Sequence, residues 1–295
     1  MQNKKRILGA LTAALIIAAA VGVAMGCRDD GQAAEEASKG TIKIGVTSWT
    51  CTQPPSYISK QLLERKGYEV EFTHAEQPLI WTALKSQDLH FFMDAWLPYT
   101  EAERWKKFKD DLVKVSTSYE EAPLGWVVPS YVEEDSITDL RGEADKYDGK
   151  IIGISSGAAM TTISKEMVKG YGLDGFEVQE ASEAAMMSVA KAAMANREPV
   201  VFFGWRPHSM FTQFDIKILE EPKDYFKADK VYVLSYEGIE QDYPEVYDIM
   251  SRWRIEVSEL EKMMYRHENE DVSWEKLAAE WIDNHPEEVE RMLGT

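Results

Sequence analysis

The amino-acid sequence predicts a two-lobed α/β fold, with a mixed sheet flanked by helices in each lobe, and three observations lead there. A β-α-β-α-β succession of apolar runs occupies residues 41–93, and a second succession of the same kind occupies 150–203. Two further apolar strands, 124–128 and 231–235, stand where the chain could cross from one lobe to the other. Strands alternating with helical segments build a largely parallel sheet with helices on its faces, and two such units in succession make two lobes.

In the first unit, residues 41–46 form a short apolar strand. Residues 56–66 have helical spacing that stops at Gly67, 68–73 alternate like a strand, 79–85 are helical, and 89–93 are strand-like again. The second unit repeats the order: strand 150–154, helix 161–170, strand 176–179, an Ala- and Met-rich helix 182–196, and strand 200–203. Residues 244–295 are charged and helical, with Trp253, Trp274 and Trp281 spaced to pack on a core. A returning strand lets them rejoin the first lobe. The expected division is 41–127 with 230–295 for lobe I, and 128–229 for lobe II.

The N-terminus carries Lys4, Lys5 and Arg6, then an uncharged apolar run over 7–23, then small residues before Cys27. That order describes a secretory signal, here 1–26. An apolar run of about 20 residues can also span a bilayer, but Ala/Gly richness and a cysteine at the expected cleavage position favour the signal. A cysteine behind small residues resembles a bacterial lipobox, although Ala24 stands where Leu or Val is usual. The resemblance implies cleavage before Cys27, a lipid on Cys27, and a protein anchored on the outer or periplasmic side of the cell membrane. Residues 27–40 are small, polar and charged, as a flexible tether is.

The chain has 33 basic and 51 acidic residues, a net charge of −18; without 1–26 it has 30 against 51, or −21. A surface this acidic repels a phosphate backbone, so no nucleic-acid partner is expected. Cys51 is left without a partner once Cys27 is lipidated, and reads as a buried apolar residue. The five histidines, at 74, 90, 208, 267 and 285, form no HExxH or HxxxH arrangement, and there is no CxxC. With no nucleophile motif and no Gly-rich phosphate loop, the expectation is a binding protein with no catalytic residue, metal or cofactor.

Three tryptophans follow three strand ends. The first strand runs into Ser48-Trp49, the third into Asp94-Ala95-Trp96-Leu97-Pro98, and the last of the second unit into Gly204-Trp205-Arg206-Pro207-His208. Ligands of open α/β sheets bind beyond the carboxyl ends of the strands, which puts these indoles at the cleft between lobes. A quaternary ammonium has no N–H to donate, so aromatic faces are its natural partner, at about 2 kcal/mol per desolvated contact. Trp81 and Trp126 sit at core spacing, Met186 and Met187 read as packing, and Tyr57 and Tyr99 are candidates for the rim.

The stretches GVTSWT, QPLIWTALKSQDLHFFMDAWLPYT, IIGISSGAAM and VVFFGWRPHSMFTQFDIKILEEPK resemble the glycine betaine/choline solute-binding proteins of ABC importers, from about residue 41 to 223 and more weakly to the C-terminus. The resemblance implies a type II periplasmic-binding fold whose lobes close on the ligand, and a permease with its ATPase as partners. It also implies a cage of Trp49, Trp96 and Trp205 around a trimethylammonium head, with backbone amides of Gly157 and Ala158 on the ligand carboxylate. An anion at a helix N-terminus fits that last role.

Glu101 departs from the family, which often carries at this position a histidine that touches the ligand carboxylate. Two adjacent carboxylates repel unless one is protonated or a cation intervenes. Either Glu101 turns to solvent, or the ligand lacks a carboxylate at that end, as choline and trimethylamine N-oxide do. His208 and Arg206 are the alternative donors. A sensor-coupled binding protein would use the same two lobes.

Overall fold

The computed structural model describes residues 38–295. The expected signal peptide 1–26, Cys27 and most of the tether 27–40 lie outside the described residues. The elements in the first part of the chain are β1 (Thr41–Val46), α1 (Gln53–Arg65), β2 (Glu69–His74), α2 (Gln77–Lys85), β3 (Phe91–Leu97), α3 (Ala102–Phe108) and β4 (Leu112–Ala122). There follow β5 (Leu124–Pro129), β6 (Lys150–Ile152), α4 (Ala159–Tyr171), β7 (Glu177–Gln179), α5 (Glu183–Ala195), β8 (Val201–Trp205), α6 (Met210–Gln213) and β9 (Ile216–Ile218). The chain closes with β10 (Asp229–Tyr236), α7 (Ile239–Asp242), α8 (Pro244–Ser251), α9 (Val257–Glu270), α10 (Trp274–Asn284) and α11 (Pro286–Leu293).

These strands make two five-stranded sheets, ordered β2-β1-β3-β10-β4 and β7-β6-β8-β5-β9. In each, three strands run parallel and two further strands extend the sheet through antiparallel pairing. β3 is buried along its whole length, as befits a central strand with both faces covered, and its sequence is accordingly a nearly unbroken apolar run. α1 carries Pro54 and Pro55 right after its first residue, Gln53, where the first helical turn tolerates them because its N–H groups have no intrahelical partner. Ile58, Leu62 and Leu63 form its buried stripe. Trp81 and Trp126 are fully buried, and Trp253 and Trp281 nearly so. Trp253 donates its indole N–H to Ser118 Oγ at 2.8 Å, tying the C-terminal helices to β4.

The chain passes between the sheets twice: at Pro123, between β4 and β5, and across 219–228, between β9 and β10. The strands expected to cross, 124–128 and 231–235, are the strands entered at those two crossings. β5 therefore belongs wholly to the second sheet, and the division falls at Pro123, not at 127/128. β4 was not expected, since its LVKVSTSYEEA run has neither clean alternation nor an apolar block. β3 and β8 are longer than expected, so Trp96 and Trp205 are strand residues, not the first residues of loops.

Candidate ligand-binding site

A cavity lies where the carboxyl ends of β1, β3 and β8 meet the start of α4. Trp49, Cys51, Gln77, Trp96, Thr100 and Glu101 line it from the first half of the fold, and Leu124, Ile154, Ala158, Ala159, Met160 and Trp205 from the second. The space open to the centre of a water molecule is about 50 Å³. A single water needs about 10–15 Å³ on that measure, so the cavity suits a small solute and not a sugar chain or a peptide.

Sheet register sets the walls. Trp96 pairs with Val231 of β10, and Trp205 pairs with Leu124 of β5, which brings Leu124 to the cavity beside it. Trp49 is held by its neighbours: its N–H donates to Thr47 Oγ1 at 3.4 Å, and its carbonyl accepts from Thr52 Oγ1 at 2.9 Å. The three indoles are 8%, 7% and 5% exposed in the order Trp49, Trp96, Trp205. Their faces are thus withdrawn from bulk water, where a cation–π contact is strongest.

Behind Trp96 sits a fully buried carboxylate. Asp94 Oδ1 accepts from Trp96 Nε1 at 3.0 Å and from the Tyr119 hydroxyl at 2.9 Å, while Cys51 Sγ approaches Oδ2 at 3.6 Å. Burial pushes the Asp94 carboxyl up to about 6, and the three donors hold it from going higher. Tyr119 meets the Trp96 ring edge-on, with centroids 6.4 Å apart, and locks its plane. Trp205 Nε1 is buried and has no hydrogen-bond partner within the protein.

Glu101 does not turn to solvent. It is 2% exposed; its Oε2 accepts from Trp96 N–H and its Oε1 from Arg104 Nη1, each at 2.8 Å. Burial raises its carboxyl to about 8 against the opposing pull of Arg104 and the Trp96 N–H. Arg104 also reaches Gln77 Oε1 and donates to the Gly157 carbonyl at 3.0 Å. With its carboxyl held protonated at neutral pH by burial and Arg104 beside it, Glu101 presents no net negative charge, which allows a ligand carboxylate to stand nearby. Asp229 fixes the loop between Trp96 and Glu101 by accepting from the N–H groups of Tyr99 and Thr100.

The start of α4 supplies the polar end of the cavity. Ala158 is its N-cap and has no side-chain acceptor, so the N–H groups of Ala159 and Met160 are among the orphan donors of the first turn. The Ala158 N–H, expected to bind the ligand, already donates to the Ser155 carbonyl at 3.1 Å. Gly157 is not on the cavity wall. A Cβ there would stand 2.7 Å from Glu76 Oε2, so glycine answers the close approach of that carboxylate.

His208 and Arg206 are not cavity donors either. His208 is fully buried, with Nε2 3.0 Å from Glu183 Oε1 and Nδ1 accepting from Met210 N–H at 3.0 Å. Arg206 pairs with the Glu261 carboxylate and lies over Phe211. Tyr99 is 48% exposed, and neither it nor Tyr57 lines the cavity. The structure therefore brings Trp49, Trp96, Trp205, Glu101 and Ala158 together and leaves Gly157 and His208 behind the walls. Sequence reasoning overlooked Asp94 and Arg104. An acid within the apolar run FFMDAWL is itself a signal, because unpaired carboxylates are seldom buried. Glu101 and Arg104 have the i, i+3 spacing of a helical ion pair. Among the described residues, no cluster of His, Cys, Asp or Glu could hold a metal ion, and no helix is long and apolar enough to cross a membrane.

Comparison with known proteins places the chain. The glycine betaine/carnitine transport binding protein GbuC of Listeria monocytogenes is 34% identical over 158 residues; the match spans about half of each protein, 52% of this chain and 51% of GbuC. The crystal structure of the glycine/betaine/L-proline-binding protein ProX of Borrelia burgdorferi superposes with a TM-score of 0.82 at 26% identity, covering 85% of this chain and 96% of that one. Lactococcal OpuAC, in its closed conformation complexed with glycine betaine, gives a TM-score of 0.82 at 25% identity, covering 86% and 99%. These relatives are solute-binding proteins and not enzymes. The sequence profile of OpuAC, the substrate binding domain of ABC-type glycine betaine transport systems, matches residues 40–284. The chain belongs to that family of ABC-importer substrate-binding proteins.

Proposed function

We propose that this protein captures a small quaternary ammonium solute outside the cytoplasm, glycine betaine foremost, and delivers it to the permease and ATPase of an ABC importer. One observation carries the reading: indoles from both halves of the fold, Trp49 and Trp96 on one side and Trp205 on the other, line a single small cavity. The trimethylammonium head sits among the three rings, and the carboxylate meets the free N–H groups at the start of α4. The Arg104–Glu101 pair keeps that end from being net negative. The halves turn about the crossings at Pro123 and 219–228, closing the rings on the ligand, and a lipid on Cys27 keeps the protein at the membrane. The name of GbuC, a glycine betaine/carnitine transport binding protein, and the glycine betaine bound to lactococcal OpuAC support the same ligand class.

A second reading has one observation in its favour. Glu101 lines the cavity, and its carboxyl could accept from the hydroxyl of choline or, when protonated, donate to the oxygen of trimethylamine N-oxide. Calorimetry with glycine betaine, proline betaine, carnitine, choline and trimethylamine N-oxide, on the native protein and on Glu101→Gln, separates the two. The first reading expects the carboxylate-bearing ligands to bind tightest and to survive the substitution. Preference for choline or the N-oxide, lost in Glu101→Gln, establishes the second. Failure of every compound to bind refutes both.

A further inference from the structure

Glu183 is the first residue of α5, set there by its N-cap Ser182, whose Oγ accepts from the Ala185 N–H at 3.1 Å. Its side chain reaches across the cleft and is almost completely buried. Glu183 Oε2 accepts from the Thr50 N–H at 3.0 Å, and Oε1 accepts from the Thr50 hydroxyl. Oε1 also lies 3.0 Å from His208 Nε2. Because His208 Nδ1 accepts from the Met210 N–H, the proton of the neutral ring is on Nε2, which donates to Glu183.

The partners matter because of what they adjoin. Thr50 is the residue after Trp49. The His208 ring meets the Trp205 ring edge-on, with centroids 5.0 Å apart and planes at 85°. One buried carboxylate therefore joins the segment that carries Trp49 to the ring that buttresses Trp205. Other contacts also cross the cleft. Arg104 to Gly157 belongs to the cavity itself, while Ser155 to Glu76, Arg206 to Glu261, and Ser209 and Gln213 to the exposed Glu268 of α9 are partly open to water, where such pairs contribute little.

We propose that Glu183 is a positioning residue for the ligand cage, holding Trp49 and Trp205 on opposite walls of the cavity whenever the two halves are together. This rests on the reading that the cavity binds its ligand among those indoles. Separation of the halves takes only the two Thr50 donors from Glu183, since His208 lies on the same half and stays bonded. The bonds lost are charge-assisted and shielded from water, so they favour the closed arrangement specifically. Removing them shifts the population toward the open form and speeds ligand release more than it slows capture.

The test uses the full chain with Glu183→Gln and, as a shape-preserving partner, Thr50→Val, which exchanges the hydroxyl for a methyl; Thr50→Ser keeps the hydroxyl. The Glu183→Gln substitution sets an amide N–H₂ against the Thr50 or His208 donors. Stopped-flow tryptophan fluorescence with glycine betaine reads association and release separately. Spin labels at Glu71→Cys and Glu177→Cys, one exposed site on each half, read the distance across the cleft. Release is expected to be about 10- to 100-fold faster in Glu183→Gln, the equivalent of one charge-assisted hydrogen bond. Association should stay near the native rate and the distance distribution should broaden toward longer values. Thr50→Val should shift in the same direction and Thr50→Ser should not. Native release and native distances in Glu183→Gln overturn the proposal, as does a loss shared equally between association and release with a lowered unfolding midpoint, which marks a purely structural role. If Glu183→Gln does not fold, native behaviour of Thr50→Val overturns it. If glycine betaine binds none of the proteins, the ligand reading fails, and the distances measured without ligand still decide the role of Glu183.

Discussion

Replacing Trp205 tests the cage most directly. Truncation to alanine would confound the result, because emptying the site of a buried tryptophan destabilises the fold by about 3–5 kcal/mol. Trp205→Leu keeps an apolar side chain between Leu124 and His208 and removes only the aromatic face. Trp205 is 5% exposed, so the face it offers is desolvated, at about 2 kcal/mol. That corresponds to a Kd roughly 30-fold higher for a quaternary ammonium ligand. The assay is calorimetry with glycine betaine and with 3,3-dimethylbutanoate, which has the same shape but carbon in place of the charged nitrogen. The native protein should prefer the cation, Trp205→Leu should lose most of that preference, and Trp205→Phe should retain a good part. A Trp205→Leu protein that binds betaine within about threefold of the native one, or a native protein indifferent to the charge, would refute the cage.

Three further outcomes follow from two buried residues, Asp94 and Gly204. Asp94, raised to about 6 by burial, should be ionised more readily when a cation rests on the Trp96 ring bonded to it, so ligand affinity should increase between pH 5 and 7; Asp94→Asn should flatten the profile, and an unchanged slope would count against the coupling. The same raised value has the opposite sign for folding: the penalty is absent below the ordinary carboxylate range and complete above about 6, on the order of 2–3 kcal/mol. The unfolding midpoint of Asp94→Asn relative to native should therefore increase with pH over that interval. Gly204, beside Trp205, faces Val127 so closely that an added Cβ would lie 2.2 Å from Val127 Cγ2. Gly204→Ala should cost about 1–3 kcal/mol by overpacking, a midpoint lower by several degrees in thermal denaturation, with Val127→Ala restoring part of it.

Much of this molecule was legible before any coordinates. Alternating apolar and helical segments located all six parallel strands; the central ones are the most legible, since a strand buried on both faces must be apolar throughout, and FFMDAWL nearly is. β4 escaped because it mixes charged and apolar residues as sheet neighbours and helices require, which no local period records. The three tryptophans announced themselves by recurring at strand ends, a property of chain order. Their convergence on one cavity depends on the register of β8 with β5 and of β3 with β10.

The amino-acid sequence by itself determined the class of fold, the order of its elements and the residue types available to a binding site, because periodicity and composition are local. Only the tertiary structure decided which polar groups face the cavity. Glu101 is turned inward because the Trp96 N–H and Arg104 satisfy its two carboxyl oxygens there. His208 is turned away because Glu183 and the Met210 N–H take both ring nitrogens. A buried polar side chain goes where its hydrogen bonds can be satisfied, and its partners lie dozens of residues away as often as next door.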